Sequence, residues 1–198
     1  VTLLSEFGRV FGLFLAIIIA AASVLIIIRY TTKVPGYVFR KLLHIVAMLA
    51  IFPLLYLTDI WWMAVAVDAA FLILVIIALR LVEKCKFYDG LFQQKRKHEV
   101  IISFICLFSM IGAFIALCWG LLGPDCKYMA ATAMMAWGPG DGMAAIVGIT
   151  WGKKKLSGKM IEGTKTVEGT VAMGVTSFVC TVMTLVIFSE IPWYIILP

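Results

Sequence analysis

The run VFGLFLAIIIAAASVLIII, Val10–Ile28, decides the fold class. It carries no charge, and about 20 apolar residues suffice for a helix to cross a bilayer. Similar runs recur along the 198 residues, of which 63% are hydrophobic and 14% charged. Soluble domains are about half apolar and a quarter charged. The composition therefore excludes a soluble globular domain, a disordered chain and a disulfide-rich secreted scaffold. Because the runs are continuous and do not alternate, it also excludes a transmembrane β-barrel.

The hydrophobic runs predict an all-α fold, a polytopic transmembrane helical bundle of about six spans. We expect residues 1–198 to form a single integral-membrane domain. The tail Ile191–Leu197 is too short to span and is expected at the membrane interface. The predicted spans are Val10–Ile28, Leu42–Leu57, Ile60–Leu79, Val100–Leu122, Tyr128–Trp151 and Thr170–Ser189.

The lysine and arginine residues predict the orientation. The net charge is +6, and fifteen of the 17 cations lie in alternate loops: four between spans one and two, six between spans three and four, and five between spans five and six. The only charged residues in the opposite loops are Asp59, Asp125 and Lys127. The positive-inside rule places the three basic loops in the cytoplasm and both termini outside. We expect a multi-pass protein of a bacterial or archaeal plasma membrane rather than an organellar one.

The fifth predicted span is interrupted by the segment Trp137–Gly142, WGPGDG. Three glycines and a proline in this segment predict a broken fifth helix. Broken backbone at membrane depth is tolerated only where it is buried in protein or lines a wet cavity. A half-helix starting near Asp141 would offer free N–H groups, with Asp141 as N-cap or metal ligand. The alternative is a proline kink with a capping aspartate.

The loop after this span is rich in glycine, lysine and threonine. It contains GITWGKKK, Gly148–Lys155, and EGTKTVEGT, Glu162–Thr170. Small residues let a backbone approach a ligand, and lysines neutralise phosphate charge. The Walker A pattern is absent. A basic loop that meets anionic lipid head groups is the alternative, and composition leaves the two interpretations open.

Further ionisable groups lie inside or at the ends of spans. Arg40 and His44 are four residues apart and share a helix face. Glu99 lies at the cytoplasmic end of the fourth span, just before Val100. Asp68 lies within the third span, where pairing inside the bundle is the favoured interpretation. Together with Asp141 and the lysine-rich loop, these residues predict a cytoplasm-facing cavity. Its acids would hold Mg²⁺ and its cations would bind phosphates, as phosphoryl transfer requires.

Several of these elements resemble the polyprenol kinase family. Asp141-Gly142-x-Ala144, with Val147-Gly148, Gly152 and Lys165-Thr166-x-Glu168-Gly169, is similar to the family's main motif block. Arg40-Lys41-x-x-His44 and Arg96-x-x-Glu99 resemble two flanking elements. The family includes dolichol, phytol and farnesol kinases and the CTP-dependent diacylglycerol kinase. The resemblance covers most of residues 40–170, which we expect to be the catalytic core.

The resemblance implies transfer of the γ-phosphate of a nucleotide, CTP or another triphosphate, to a lipid alcohol with Mg²⁺, in lipid or phospholipid metabolism. The lipid alcohol would be an isoprenoid alcohol or diacylglycerol. The implied catalytic residues are Asp141, His44, Glu99 and Lys165, and the implied metal ligands are Asp141 and Glu99. The implied nucleotide-binding residues are Arg40, Lys41, Gly142, Gly148, Gly152, Lys153, Thr164, Lys165, Thr166, Glu168 and Gly169.

Two other functions stay open. A phosphatidate cytidylyltransferase would make CDP-lipid, but Gly140 stands where related synthases have a serine, and their C-terminal signature is absent. A small lipid transporter or scramblase would use the broken helix as a permeation path, although the cations lie on one face and the sequence shows no inverted repeat. The expected partners are the lipid alcohol, the nucleotide and the bilayer, with no nucleic acid; a homo-oligomer is left open.

Overall fold

The computed structural model describes residues 2–32, 34–83, 98–156 and 165–188. These residues are almost entirely helical and, apart from one isolated β-bridge, form no β-strand. This confirms the prediction of an all-α helical bundle. The chain divides into two compact units, Val1–Ala130 and Ala131–Pro198.

The described part of the first unit contains the α-helices α1 (Leu3–Thr32), α2 (Gly36–Leu49), α3 (Ile51–Leu57), α4 (Trp61–Val82) and α5 (Glu99–Phe114). A π-helical segment, Ile115–Leu121, and a short 3₁₀ helix, Pro124–Cys126, follow α5. Helix α6 (Lys127–Trp151) begins in this unit and continues into the second, which also holds α7 (Val167–Phe188).

Five stretches of the described chain are long and apolar enough to cross a membrane: Leu3–Thr32, Gly36–Leu57, Trp61–Val82, Glu99–Leu121 and Val167–Phe188. Each overlaps one of the predicted spans. The second combines α2 and α3, which meet at Ala50 because Pro53 has no N–H to donate to the carbonyl of Leu49. Helix α6 is not among the five, and the glycines, Pro139 and Asp141 at its centre lower its hydropathy.

Aromatic rings fill the core of the first unit. Phe14 of α1 meets Phe71 of α4 edge-on at 5.1 Å between ring centroids, and Phe71 lies 5.1 Å from Phe108 of α5. All three side chains are buried. At the start of α6, the Nζ of Lys127 lies 4.2 Å from the centroid of the Trp119 ring. These contacts tie α1, α4 and α5 into one bundle.

The structure corrects the prediction of a broken fifth helix, because Lys127–Trp151 is one continuous α-helix with Pro139 inside it. The proline removes a single backbone donor, and the turns on both sides keep their own hydrogen bonds. The neighbouring Gly140 has a packing role instead. A Cβ at Gly140 would collide with Ser177 Oγ and lie 3.2 Å from the carbonyl of Met173, so only glycine lets α7 approach α6 here.

Candidate functional site

The ends of α6 and α7 are joined by a short paired segment in the second unit. Lys155 and Thr166 form an antiparallel bridge. The N–H of Leu156 donates to the carbonyl of Lys165 at 2.8 Å, and the N–H of Val167 donates to the carbonyl of Lys154 at 2.9 Å. The backbone on either side of residues 157–164 is therefore fixed by its own hydrogen bonds. The predicted ligand Thr164 lies outside the described residues.

Thr166 and Glu168 close this segment onto the start of α7. Thr166 is 8% exposed, and its Oγ1 accepts a hydrogen bond from the N–H of Gly169 at 3.2 Å. A threonine that bonds the third N–H of the following helix is an effective N-cap. Both carboxylate oxygens of Glu168 accept from the backbone N–H of Lys154 at 3.3 Å. The Lys-Thr-x-Glu-Gly element thus builds the scaffold of the loop.

Four lysines project from this scaffold, and we call Lys153, Lys154, Lys155 and Lys165 the lysine corner. All four are exposed. They lie beside the N-terminus of α7, where the helix dipole adds partial positive charge and favours anions. A polyphosphate chain carries the charge and the acceptor oxygens that such a surface attracts. The nucleotide-binding roles of Lys153 and Lys165 stay predictions.

Gly148, Gly152 and Gly169 lie where α6 meets α7. A Cβ at Gly148 would lie 3.0 Å from Thr166 Oγ1, and one at Gly152 would lie 2.6 Å from Thr166 Cγ2. A Cβ at Gly169 would lie 2.7 Å from the carbonyl of Ala144. Small residues let helices approach this closely. The structure therefore gives these glycines a packing role, and a nucleotide contact for them stays a prediction.

Asp141 is half-buried in α6, between the buried residues Gly140 and Gly142. Because α6 is continuous, ten residues of helix, or about 15 Å, separate Asp141 from Trp151. The structure thus leaves Asp141 outside the direct side-chain reach of the lysine corner, contrary to the close approach that a broken helix would give. The two elements can act together only on a ligand long enough to span this distance.

The donor set at Asp141 fits Mg²⁺ only with help from a ligand. Within the described ranges, no group of three or more His, Cys, Asp or Glu side chains could hold a metal ion. Mg²⁺ commonly binds one or two protein carboxylates, and substrate phosphates and waters complete its shell. A single carboxylate in α6 meets that requirement when a nucleotide supplies the remaining oxygens.

In the first unit, Arg40 of α2 and Glu99 of α5 form an ion pair. Arg40 Nη1 donates to Glu99 Oε1 at 2.8 Å, and the side chains are 20% and 30% exposed. The sequence predicts phosphate binding for Arg40 and a metal or base role for Glu99. The structure brings these two residues together, although they lie 59 positions apart in the sequence.

His44 lies one turn after Arg40 on α2. Its Nδ1 is 2.7 Å from the carbonyl oxygen of Arg40, and its ring stacks on Phe104 with centroids 5.8 Å apart. A carbonyl can only accept, so Nδ1 carries a proton, and in the neutral imidazole the lone pair is then at Nε2. This tautomer suits His44 to accept a proton through Nε2. Lys41, on the same turn as Arg40, is half-buried.

The surroundings of Asp68 were not predictable from the sequence. It is 3% exposed on α4, and its Oδ1 has no hydrogen-bond partner among the residues that the structure describes. The expected pairing of Asp68 is therefore not seen for this oxygen. A Cβ at Gly112 of α5 would lie 3.2 Å from Asp68 Oδ2. The sequence shows Asp68 between apolar neighbours, but it does not show that Gly112 lies beside this side chain.

No protein-family model, curated protein or solved structure gives a match to this chain. The resemblance to polyprenol kinases therefore stays a prediction that depends on the motifs.

Proposed function

We propose that this protein is an integral-membrane kinase of the polyprenol kinase type. It transfers the γ-phosphate of a nucleotide, CTP in the first place, to the hydroxyl of a lipid alcohol. The acceptor is an isoprenoid alcohol or diacylglycerol. The reaction takes place at the cytoplasmic face, where the positive-inside rule puts the basic loops.

The lysine corner is the observation that carries this proposal. Four exposed ammonium groups around a helix N-terminus form a strong binding surface for a polyanion. The pairing of Lys155 with Thr166 and the hydrogen bonds of Glu168 hold the backbone of this surface in place. A fixed cationic surface suits phosphoryl transfer, in which catalysis depends on positioning and charge neutralisation.

The remaining roles follow from the chemistry of each side chain. Asp141 would hold Mg²⁺, which supplies charge neutralisation on the phosphate oxygens when it is bound. Arg40 would bind phosphate oxygens through its guanidinium. His44 would accept the proton of the lipid hydroxyl at Nε2. The apolar helices are long enough to cross a membrane, where a lipid acceptor would also lie, and this supports a lipid rather than a soluble acceptor.

The position of the transferred label tests this proposal. Purified protein in lipid nanodiscs is given CTP labelled at the γ-phosphate or at the α-phosphate, with Mg²⁺ and a panel of isoprenols and diacylglycerol. We expect label in the lipid only from γ-labelled CTP. Label from the α-phosphate with phosphatidate as substrate would show a cytidylyltransferase instead. Lipid movement without nucleotide, and without labelled product, would show a transporter or scramblase.

A charge variant connects the activity to the lysine corner. K154A/K165A removes two ammonium groups but leaves the backbone hydrogen bonds that the structure describes at Lys154 and Lys165. We expect the KM for CTP to rise at least tenfold, because each lost charge-assisted contact is worth about a factor of ten or more. The control R9A removes an exposed cation on α1 and should leave the KM unchanged.

A further inference from the structure

We infer that Glu99 is a positioning residue that orients the guanidinium of Arg40 toward a phosphate group, and that Glu99 does not ligate metal. The inference rests on the proposed function and deepens it. It makes Arg40 the residue that binds the phosphate group, and it replaces the metal or base role that the sequence predicts for Glu99.

The contact between the two side chains has the geometry of a strong, charge-assisted hydrogen bond. The separation between Arg40 Nη1 and Glu99 Oε1 is 2.8 Å, within the range for paired guanidinium and carboxylate groups. A guanidinium has five N–H donors, and the structure shows only Nη1 engaged by a side chain among the residues it describes. The Arg40 side chain is 20% exposed. Donors remain that can reach a phosphate.

The backbone beside each partner is fixed. Phe39 precedes Arg40 and Val100 follows Glu99, and these two residues, each 1% exposed, form the centre of one apolar cluster. The carbonyl of Arg40 also accepts the hydrogen bond from His44 Nδ1. The ion pair therefore lies at the rim of a packed contact between α2 and α5. Preorganisation of this kind lets a charged group bind without reorganising.

A metal role for Glu99 conflicts with this arrangement. A divalent cation on the same carboxylate would lie a few ångströms from the guanidinium, and like charges at such distances repel strongly outside bulk water. Mg²⁺ would have to displace Arg40 or bind beside it. A role in orienting Arg40, by contrast, requires only the contact between Glu99 and Arg40 that the structure shows.

Kinetics of Glu99→Gln separate the two roles. Glutamine keeps the size of the side chain and a carbonyl acceptor but loses the charge. We expect a tenfold or greater rise in KM for CTP, with an unchanged Mg²⁺ concentration for half-maximal activity and a smaller change in kcat. The matched control is Glu83→Gln, which removes a carboxylate of similar exposure. Glu83 Oε2 lies 3.0 Å from Nδ1 of His98, the residue before Glu99 in the sequence. This control should leave all three constants unchanged.

Several outcomes would overturn the inference. A raised Mg²⁺ requirement in E99Q at unchanged KM would make Glu99 a metal ligand, and unchanged constants together with unchanged inhibition by a lipid phosphate would leave it no role. Glu99→Asp gives a second, more conservative test if E99Q does not fold: with the carboxylate kept but shortened, the KM should rise less than in E99Q. Arg40→Lys combined with E99Q should be no worse than R40K alone, because both variants lose the same oriented guanidinium.

Direct binding keeps this inference separate from the proposed kinase activity. Equilibrium binding of labelled CTP to the protein in nanodiscs needs no acceptor and no turnover. If the wild-type protein binds CTP but transfers no phosphate, the kinase proposal fails, and weaker binding by E99Q still supports the inference. If E99Q weakens inhibition by a lipid phosphate and not CTP binding, the ligand of Arg40 is the lipid phosphate. If E99Q weakens neither, the inference is wrong.

Discussion

Substitution of Gly169 by alanine tests how closely α6 and α7 must pack. The new Cβ would lie 2.7 Å from the carbonyl of Ala144, 3.1 Å from Thr166 Oγ1 and 3.2 Å from the Cα of Gly148. Two of these three neighbours are backbone atoms, which cannot rotate away as a flexible side chain can. The helices must therefore separate, and we expect the free energy of unfolding to fall.

The size of this effect follows from a matched control on the same helix. Gly174→Ala adds the same methyl group to α7, but no atom lies within 4 Å of its Cβ. Both variants gain similar helix propensity, up to about 1 kcal/mol. The difference between them is then the cost of overpacking, about 1–3 kcal/mol.

The assay is equilibrium unfolding of each variant in detergent micelles, followed by circular dichroism. We expect G174A to unfold at the same or a higher denaturant concentration than the wild type, and G169A at a lower one. Equal midpoints for G169A and G174A would refute the close packing of α6 against α7 at Gly169.

Three other predictions concern single side chains. T166A should lower stability by about 1 kcal/mol through loss of the N-cap, and T166S should restore most of it in the same unfolding assay. D141A should abolish transfer of γ-label to lipid, whereas D125A, at an exposed acid, should keep it; full activity of D141A would remove Asp141 from the chemistry. K127M should lower stability by about 0.5–1 kcal/mol, because the ammonium group no longer contacts the ring of Trp119, the carbonyl of Thr58 or the carboxylate of Asp59. An unchanged unfolding midpoint would contradict a stabilising role for these contacts.

Hydropathy predicts the five candidate membrane spans, because the length and apolarity of a span are local properties of the sequence. The continuity of α6 was not predictable in this way. Pro139 and its flanking glycines suit either a break or a tight helix contact, and only the position of Ser177 on α7 distinguishes the two. The corrected helix also puts about 15 Å between Asp141 and its C-terminal end, a distance that motif spacing does not contain.

The roles of charged residues depended on partners far away in the sequence. Glu99 was a reasonable candidate metal ligand by residue type, but Arg40 lies 59 positions away and takes one of its oxygens. Glu168 was assigned to the nucleotide, and the structure shows its carboxylate on the backbone of Lys154. By contrast, a run of lysines is by itself enough to predict exposure, because charged side chains are rarely buried, and the lysine corner is exposed.

The hydrogen bonds from Lys154 to Glu168 have a consequence for how ligand preference could change. They use the main-chain N–H of Lys154, which every amino acid except proline provides. This contact between position 154 and Glu168 is therefore kept with any side chain other than proline at position 154. Substitutions there can remove the charge, reverse it or introduce an aromatic group. They can therefore alter selectivity for different anions without changing the backbone contact that supports this position.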